Sequence, residues 1–203
     1  MSLREERAEA TRAQLVAAAT ELFAERGYAE VGTEDVVRRA GLTRGALYHH
    51  FADKRELFAA VYERMERELV TSIGTRMAEA TDSATGAPDP NQLLVTGVQA
   101  FLDEVARPEV VRIGLLDAPT VLGWARWREV GERYGLGLVI SSLEYGMASG
   151  ALRRQPVRPL ALLLLAALGE AAQLIAHAEQ PEQARAEVEP ALRALLDGLR
   201  AQA

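Results

Sequence analysis

Apolar residues recur along this chain at steps of three and four. Leu15, Ala18, Leu22 and Phe23 share one face of a segment from Arg4 to Arg26. Leu57, Phe58, Val61, Tyr62, Met65, Leu69, Ile73 and Met77 form a longer stripe of the same period. That spacing is the signature of amphipathic helices, with one face turned inward. No convincing two-residue alternation of the strand type occurs, so the pattern predicts an all-α fold.

Turn residues divide the stripes. Gly27 stands where a helix-ending glycine belongs, with apolar Tyr28 behind it. Thr33 is placed to cap a short helix over 34–40, which Gly41 closes, and Thr43 to cap a second from Arg44 to Phe51. Asp53 and Glu56 have the spacing of a capping pair that opens the long helix. The small, polar stretch ATDSATGAPDP reads as a loop, after which Asp89-Pro90-Asn91-Gln92 restarts the helical pattern. Further helical segments are expected over 91–106, 108–116, 123–148, 160–178 and 182–201, the last kinked at Pro190. The expected organisation is an N-terminal helical domain over 1–55 and a second helical domain over 56–203, with 56–79 as a linking helix.

Two short helices joined by Gly41-Leu42-Thr43 have the form of a helix-turn-helix. Val36, Val37, Ala40, Leu42, Leu47 and Phe51 can share a core with Leu22 and Phe23. The outward face of the second helix is then Arg44, Gly45, Ala46, Tyr48, His49 and His50. Arg44, at its start, can donate two bonds to guanine O6 and N7 in the major groove. Gly45 and Ala46 let the backbone approach closely and offer a methyl to thymine. Tyr48, His49 and His50 can reach phosphates or bases. Lys54, the single lysine of the chain, can hold a phosphate, as can the hydroxyls and helix-start N–H groups of Thr33 and Thr43. The plain alternative is two packed helices with Tyr48 in the core. A metal pair at His49-His50 is not expected, because adjacent helical side chains diverge by about 100°.

The stretch GYAEVGTEDVVRRAGLTRGALYHHFADKRELF, residues 27–58, resembles the signature of TetR-type transcriptional regulators. Gly27-Tyr28, Thr33, Ala40-Gly41-Leu42-Thr43, Gly45, Leu47-Tyr48, His50-Phe51, Lys54 and Leu57 carry the likeness. Val37 stands where that family usually has alanine, and Leu42-Thr43 where it usually has valine and serine. The resemblance implies a three-helix DNA-binding domain and a C-terminal helical domain that binds a ligand and dimerises. The partners it implies are a palindromic duplex operator, a second copy of the chain joined through its C-terminal helices, and a small effector.

Composition narrows the chemistry. The chain has 203 residues and no cysteine, which removes disulfides, zinc thiolates and thiol catalysis or redox sensing. Net charge is −6, yet residues 1–55 balance nine basic against nine acidic residues, so the surplus of acid falls beyond them. A DNA contact there depends on where individual cations stand. The charged N-terminus has no secretion signal, and the longest uncharged apolar run, Pro159–Gly169, is shorter than the about 20 residues a bilayer requires. A cytoplasmic protein without a membrane partner is expected.

In the second half, Trp124, Trp127 and Tyr134 fall near one helical face beside Pro119 and Gly123. They are candidates to line an effector cavity, with Gln173 and His177 as polar anchors. Core packing is the rival for the aromatic residues, and a hydrogen-bonded core histidine for His177. The near-uniformly apolar segment LALLLLAALGEAAQLIAHAE and the last helix are candidates for a dimer seam. Missing cation clusters outside the DNA face point to a largely apolar effector. No catalytic residue, metal or cofactor is assigned: recognisable Ser–His–Asp spacing, glycine-rich phosphate loops and His-x-x-x-His pairs are all missing. The expected function is a ligand-responsive repressor. The alternatives are a constitutive DNA-binding regulator without a small ligand and, more remotely, a helical enzyme.

Overall fold

A computed structural model describes residues 3–82 and 89–201. Among them every extended element is a helix, and the one trace of sheet is an isolated antiparallel bridge between Leu152 and Arg200. The chain forms α1 (Leu3–Glu30), α2 (Thr33–Ala40), α3 (Arg44–His50), α4 (Lys54–Asp82) and α5 (Pro90–Val105). A helical run then comprises α6 (Pro108–Val110), a π-helical stretch (Val111–Asp117) and α7 (Ala118–Leu122). The last three helices are α8 (Trp124–Ala148), α9 (Val157–Ala176) and α10 (Pro181–Asp197). The loop stretch around 83–88 lies outside the described residues.

Packing separates two compact units. One holds the chain through Met65 together with Pro108–Trp127, and the other holds Glu66–Arg107 and the chain from Arg128 onward. The first unit thus takes in residues 1–55 and adds the start of α4, the α6–α7 run and the first residues of α8.

Within the first unit, α1 is broken at Gly27, whose φ of 79° is costly for a residue with a Cβ. The break turns Tyr28 back, and its ring meets Phe23 and Phe58 at centroid distances of 5.8 and 5.1 Å. Leu22, Phe23, Val31, Val36, Val37, Leu47, Phe51, Leu57 and Phe58 are buried. At α2 the expectation of a Thr33 cap is corrected: Gly32 is the capping residue and Thr33 is already helical. The reason is Asp35, whose carboxylate accepts the Gly32 N–H at 3.1 Å and satisfies the helix entrance from inside. Thr43 does cap α3, its hydroxyl accepting the Ala46 N–H at 3.2 Å. At the start of α4, Asp53 accepts the Glu56 N–H at 2.8 Å, while Glu56 accepts the N–H of Ala52 at 2.9 Å. All eight apolar positions of the α4 stripe are buried.

The second unit has two apolar clusters. One joins Leu94 and Val95 of α5, Leu143 and Met147 of α8, Leu152, Ala161 of α9 and Leu196 of α10. The other joins Leu102, Ala171, Ile175 and Leu192. Asp103 on α5 binds Arg76 of α4 at 2.8 Å and also Arg185 of α10. Ser72 donates to Glu104 at 2.6 Å. Helix α10 continues through Pro190, which forfeits its bond to the Ala186 carbonyl without ending the helix.

The apolar run Pro159–Gly169 lies inside the longer helix α9, which also carries Arg158 and Glu170. The helix is 20 residues long and, by length and composition, apolar enough to cross a membrane. Of those residues Ala161, Ala171, Ala172 and Ile175 are buried, whereas Leu163 and Leu174 are 69% and 56% exposed.

Candidate nucleic-acid interface

The helix-turn-helix is built by α2 and α3. Leu47 points inward and is fully buried, which fixes the rotation of α3. The rest of the helix obeys its period: Arg44, Gly45, Tyr48 and His49 are exposed, and Ala46 and His50 are half-buried. An α-helix is about 10–12 Å across with its side chains, which a major groove about 12 Å wide accepts. Tyr48, 44% exposed, lies on this outer face and not in the core. The Arg44 guanidinium lies 5.5 Å from the centroid of the Tyr48 ring. A hydrogen bond with Thr33, then the neighbouring Arg44, hold the Tyr48 phenol below its usual pKa. Thr33, Arg44 and Tyr48 therefore form one polar group at the mouth of the motif. His49 and His50 pack edge to face at 5.1 Å, and no metal-ligating group of three is found among the described residues.

Charge around this face is regulated by pairing. Arg44 lies 3.4 Å from Glu34, both side chains largely exposed. Arg39 is held at 2.8 Å by Glu21 and 3.3 Å by Glu25, and those two hydrogen bonds raise its pKa. Asp35 is held below the usual carboxylate range by the Gly32 N–H first, and also by Arg26 and Arg38.

Lys54 is engaged by backbone groups of the α1 end. Its ammonium donates to the carbonyls of Tyr28 and Val31 at 2.8 and 2.9 Å. It also lies 4.0 Å from the Tyr28 ring centroid. A half-buried ammonium with two of its three N–H groups so engaged ties the α1 end to the α4 start. The sequence carries no local signal for this, because the partners lie 26 and 23 residues away.

The five effector candidates do not gather in one unit. Trp124 and Trp127 belong to the first, while Tyr134, Gln173 and His177 belong to the second. Trp127 is buried, and its indole N–H donates to Gly114 O at 2.9 Å. Trp124 is 51% exposed, 4.6 Å from Trp127 between ring centroids. Tyr134 stacks under Arg67 at 5.7 Å. His177 is not in the core: it is the exposed cap of α9, with Nδ1 2.9 Å from Gln173 O. The same carbonyl accepts the His177 backbone N–H at 3.1 Å, so the residue closes the helix end and its ring needs no burial.

The motif geometry agrees with comparison to known proteins. Residues 15–61 match the model described as bacterial regulatory proteins, tetR family. Residues 92–199 match the model described as tetracyclin repressor-like, C-terminal domain. The HTH-type transcriptional activator FasR of Mycolicibacterium smegmatis is 37% identical over 92 residues, 45% of this chain and 39% of that protein. The transposon Tn10 TetC protein of Escherichia coli is 27% identical over 135 residues, 66% of this chain and 64% of that one. Both alignments thus span less than two thirds of the relative. The crystal structure of a TetR-family transcriptional regulator from Pectobacterium atrosepticum superposes with a TM-score of 0.82 at 33% identity, covering 100% of this chain and 99% of that one.

Proposed function

We propose, since this chain belongs to the TetR family of DNA-binding transcriptional regulators, that it is a repressor which binds a palindromic operator as a homodimer and is released by a small, largely apolar effector. The observation that carries this is the outward face of α3, where Arg44 stands exposed at the helix start beside Tyr48. Arg44 reads guanine, Gly45 and Ala46 permit close approach, and Thr33, Thr43, Tyr48, His49 and His50 contact backbone or bases. Repression arises from steric exclusion of polymerase.

The dimer is supported by the leucines left at the surface: Leu163, Leu174 and Leu195 are 69%, 56% and 55% exposed on α9 and α10. A helix this apolar and this little buried needs a cover. A second copy supplies it and fits a cytoplasmic protein; Arg158 and Glu170 on the same helix oppose a bilayer. Two-fold symmetry then sets two reading helices about 34–36 Å apart, in successive major grooves. The match of residues 92–199 to a repressor-like C-terminal domain supports the effector.

A second reading, activation, is favoured by the name of the FasR relative. The test is selection from a random duplex library by the full chain, then transcription from a promoter holding the selected site. The expected product is an inverted repeat bound by two chains, with transcription reduced. Asymmetric sites bound by one chain would rule out the dimer reading, and increased transcription would establish activation.

A further inference from the structure

The helical run from Pro108 to Leu122 is π-helical in its middle, over Val111–Asp117. Such stretches are rare, are generally single turns and concentrate at functional sites. Two of its side chains reach the break in α1. Asp117 Oδ2 accepts the Tyr28 N–H at 2.8 Å. Arg112 pairs with the same carboxylate at 3.7 Å and donates to Arg26 O at 3.4 Å. Its guanidinium fills the space beside Gly27: a Cβ built there would lie 1.9 Å from Nη2. Gly27 is therefore favoured for its positive φ, while the guanidinium beside it would have to move for a larger residue. Tyr28 is gripped at both ends of its backbone, its N–H by Asp117 and its carbonyl by Lys54.

The same run also holds the start of α4. Arg55 donates from Nε to Val121 O and from Nη2 to Leu122 O, both at 3.0 Å. These are carbonyls at the C-terminal end of α7, where backbone acceptors want partners. The two helices that flank α2 and α3 are thus tied to one short helical run. Within the run, the carbonyl of Gly114 takes the Trp127 indole N–H, and Gly114 leaves room for Met65, whose Cε would lie 2.5 Å from a Cβ there.

We propose that Asp117 and Arg112 are positioning residues for DNA binding, and that the π-helical register of Val111–Asp117 keeps them on α1. Loss of the extra residue of a π turn rotates the residues C-terminal to it by about 100°, which swings Asp117 off the Tyr28 N–H. The α1 end then loses the anchor that orients α2 and α3, and Trp127 loses its acceptor at the same time. This rests on the DNA-binding reading above and assigns its control to named residues.

The experiment uses the full chain, a duplex selected by the wild type and a scrambled duplex of equal length. Asp117→Ala is expected to lose about tenfold in affinity for the selected duplex while its weaker binding to the scrambled one stays unchanged. Asp117→Asn keeps an acceptor for Tyr28 and is expected to fall between that variant and wild type. In a Trp124→Phe background, Asp117→Ala is expected to shift the emission of Trp127. Equal losses on both duplexes would mean a general loss of folded protein and would overturn the positioning role, as would unchanged affinity for the selected duplex. Unmoved Trp127 emission would overturn the register switch. A wild-type chain that selects no duplex would instead defeat the DNA-binding reading, and this inference with it.

Discussion

The Lys54 ammonium lies 4.0 Å from the centroid of the Tyr28 ring and donates to the carbonyl of that same residue at 2.8 Å. One side chain thus joins the residue after the α1 break to the first residue of α4, and the pair brackets α2 and α3 along the chain. Burial first, then the Asp53 carboxylate, push the Tyr28 phenol above its usual pKa, so the ring stays neutral under the cation at physiological pH.

Lys54→Met should therefore lower stability more than it alters DNA binding. The variant keeps an apolar stem over the ring and leaves the Tyr28 and Val31 carbonyls without a charged donor. Hydrogen bonds to charged groups are worth about 1.5–3 kcal/mol, and a loss in the lower part of that range is expected from urea unfolding. A stable variant whose log-affinity falls about one unit less steeply with log salt would instead place Lys54 on a phosphate.

Arg44→Ala should relax base preference. If the guanidinium is bidentate to guanine, the selected duplex loses about 1–3 kcal/mol and a scrambled duplex loses little. Competition binding with both duplexes decides, since parallel losses would reduce Arg44 to a backbone contact.

Glu34→Gln should tighten DNA binding. Glu34 competes for Arg44 from 3.4 Å and adds negative charge beside the expected phosphates. Exposed pairs are worth about 0.2–1 kcal/mol, so a gain of up to about fivefold is expected. Unchanged affinity across low and moderate salt would show that the pair does not restrain Arg44.

The Asp103 cluster predicts a pH dependence. Burial acts to raise the Asp103 pKa, but hydrogen bonds from Arg185 and Arg76 outweigh it and hold the carboxyl below its usual value. A depressed folded pKa means that the stabilisation is present above the unfolded carboxylate pKa, about 3.9. It is lost as pH falls through the folded value. Asp103→Asn should thus melt below wild type at pH 7, and the two melting curves should converge in acid. A gap that does not narrow at all as pH falls below the unfolded value, about 3.9, would assign the loss to packing.

Much of the fold could be read from local pattern. The burial of all eight α4 positions from Leu57 to Met77 reflects a three- and four-residue period, which any helix imposes on its own side chains. The breaks at Gly27 and Gly41 and the Thr43 cap were legible for the same reason. Positive φ and a free N–H are settled within one turn of chain. The outer face of α3 was fixed once Leu47 pointed inward. What the tertiary structure alone decided was where side chains end up across long stretches of sequence. Asp117 meets the Tyr28 N–H across 89 residues, and Trp127 turns inward to Gly114 while Trp124 stays half exposed. The choice of Gly32 over Thr33 as cap turned on Asp35 winning the helix entrance. His177 left the core because α9 ends there. Periodicity says which face of a helix is apolar, but not what docks on it. Polar partners are chosen only when docking brings an unpaired backbone group within hydrogen-bond reach of a charge.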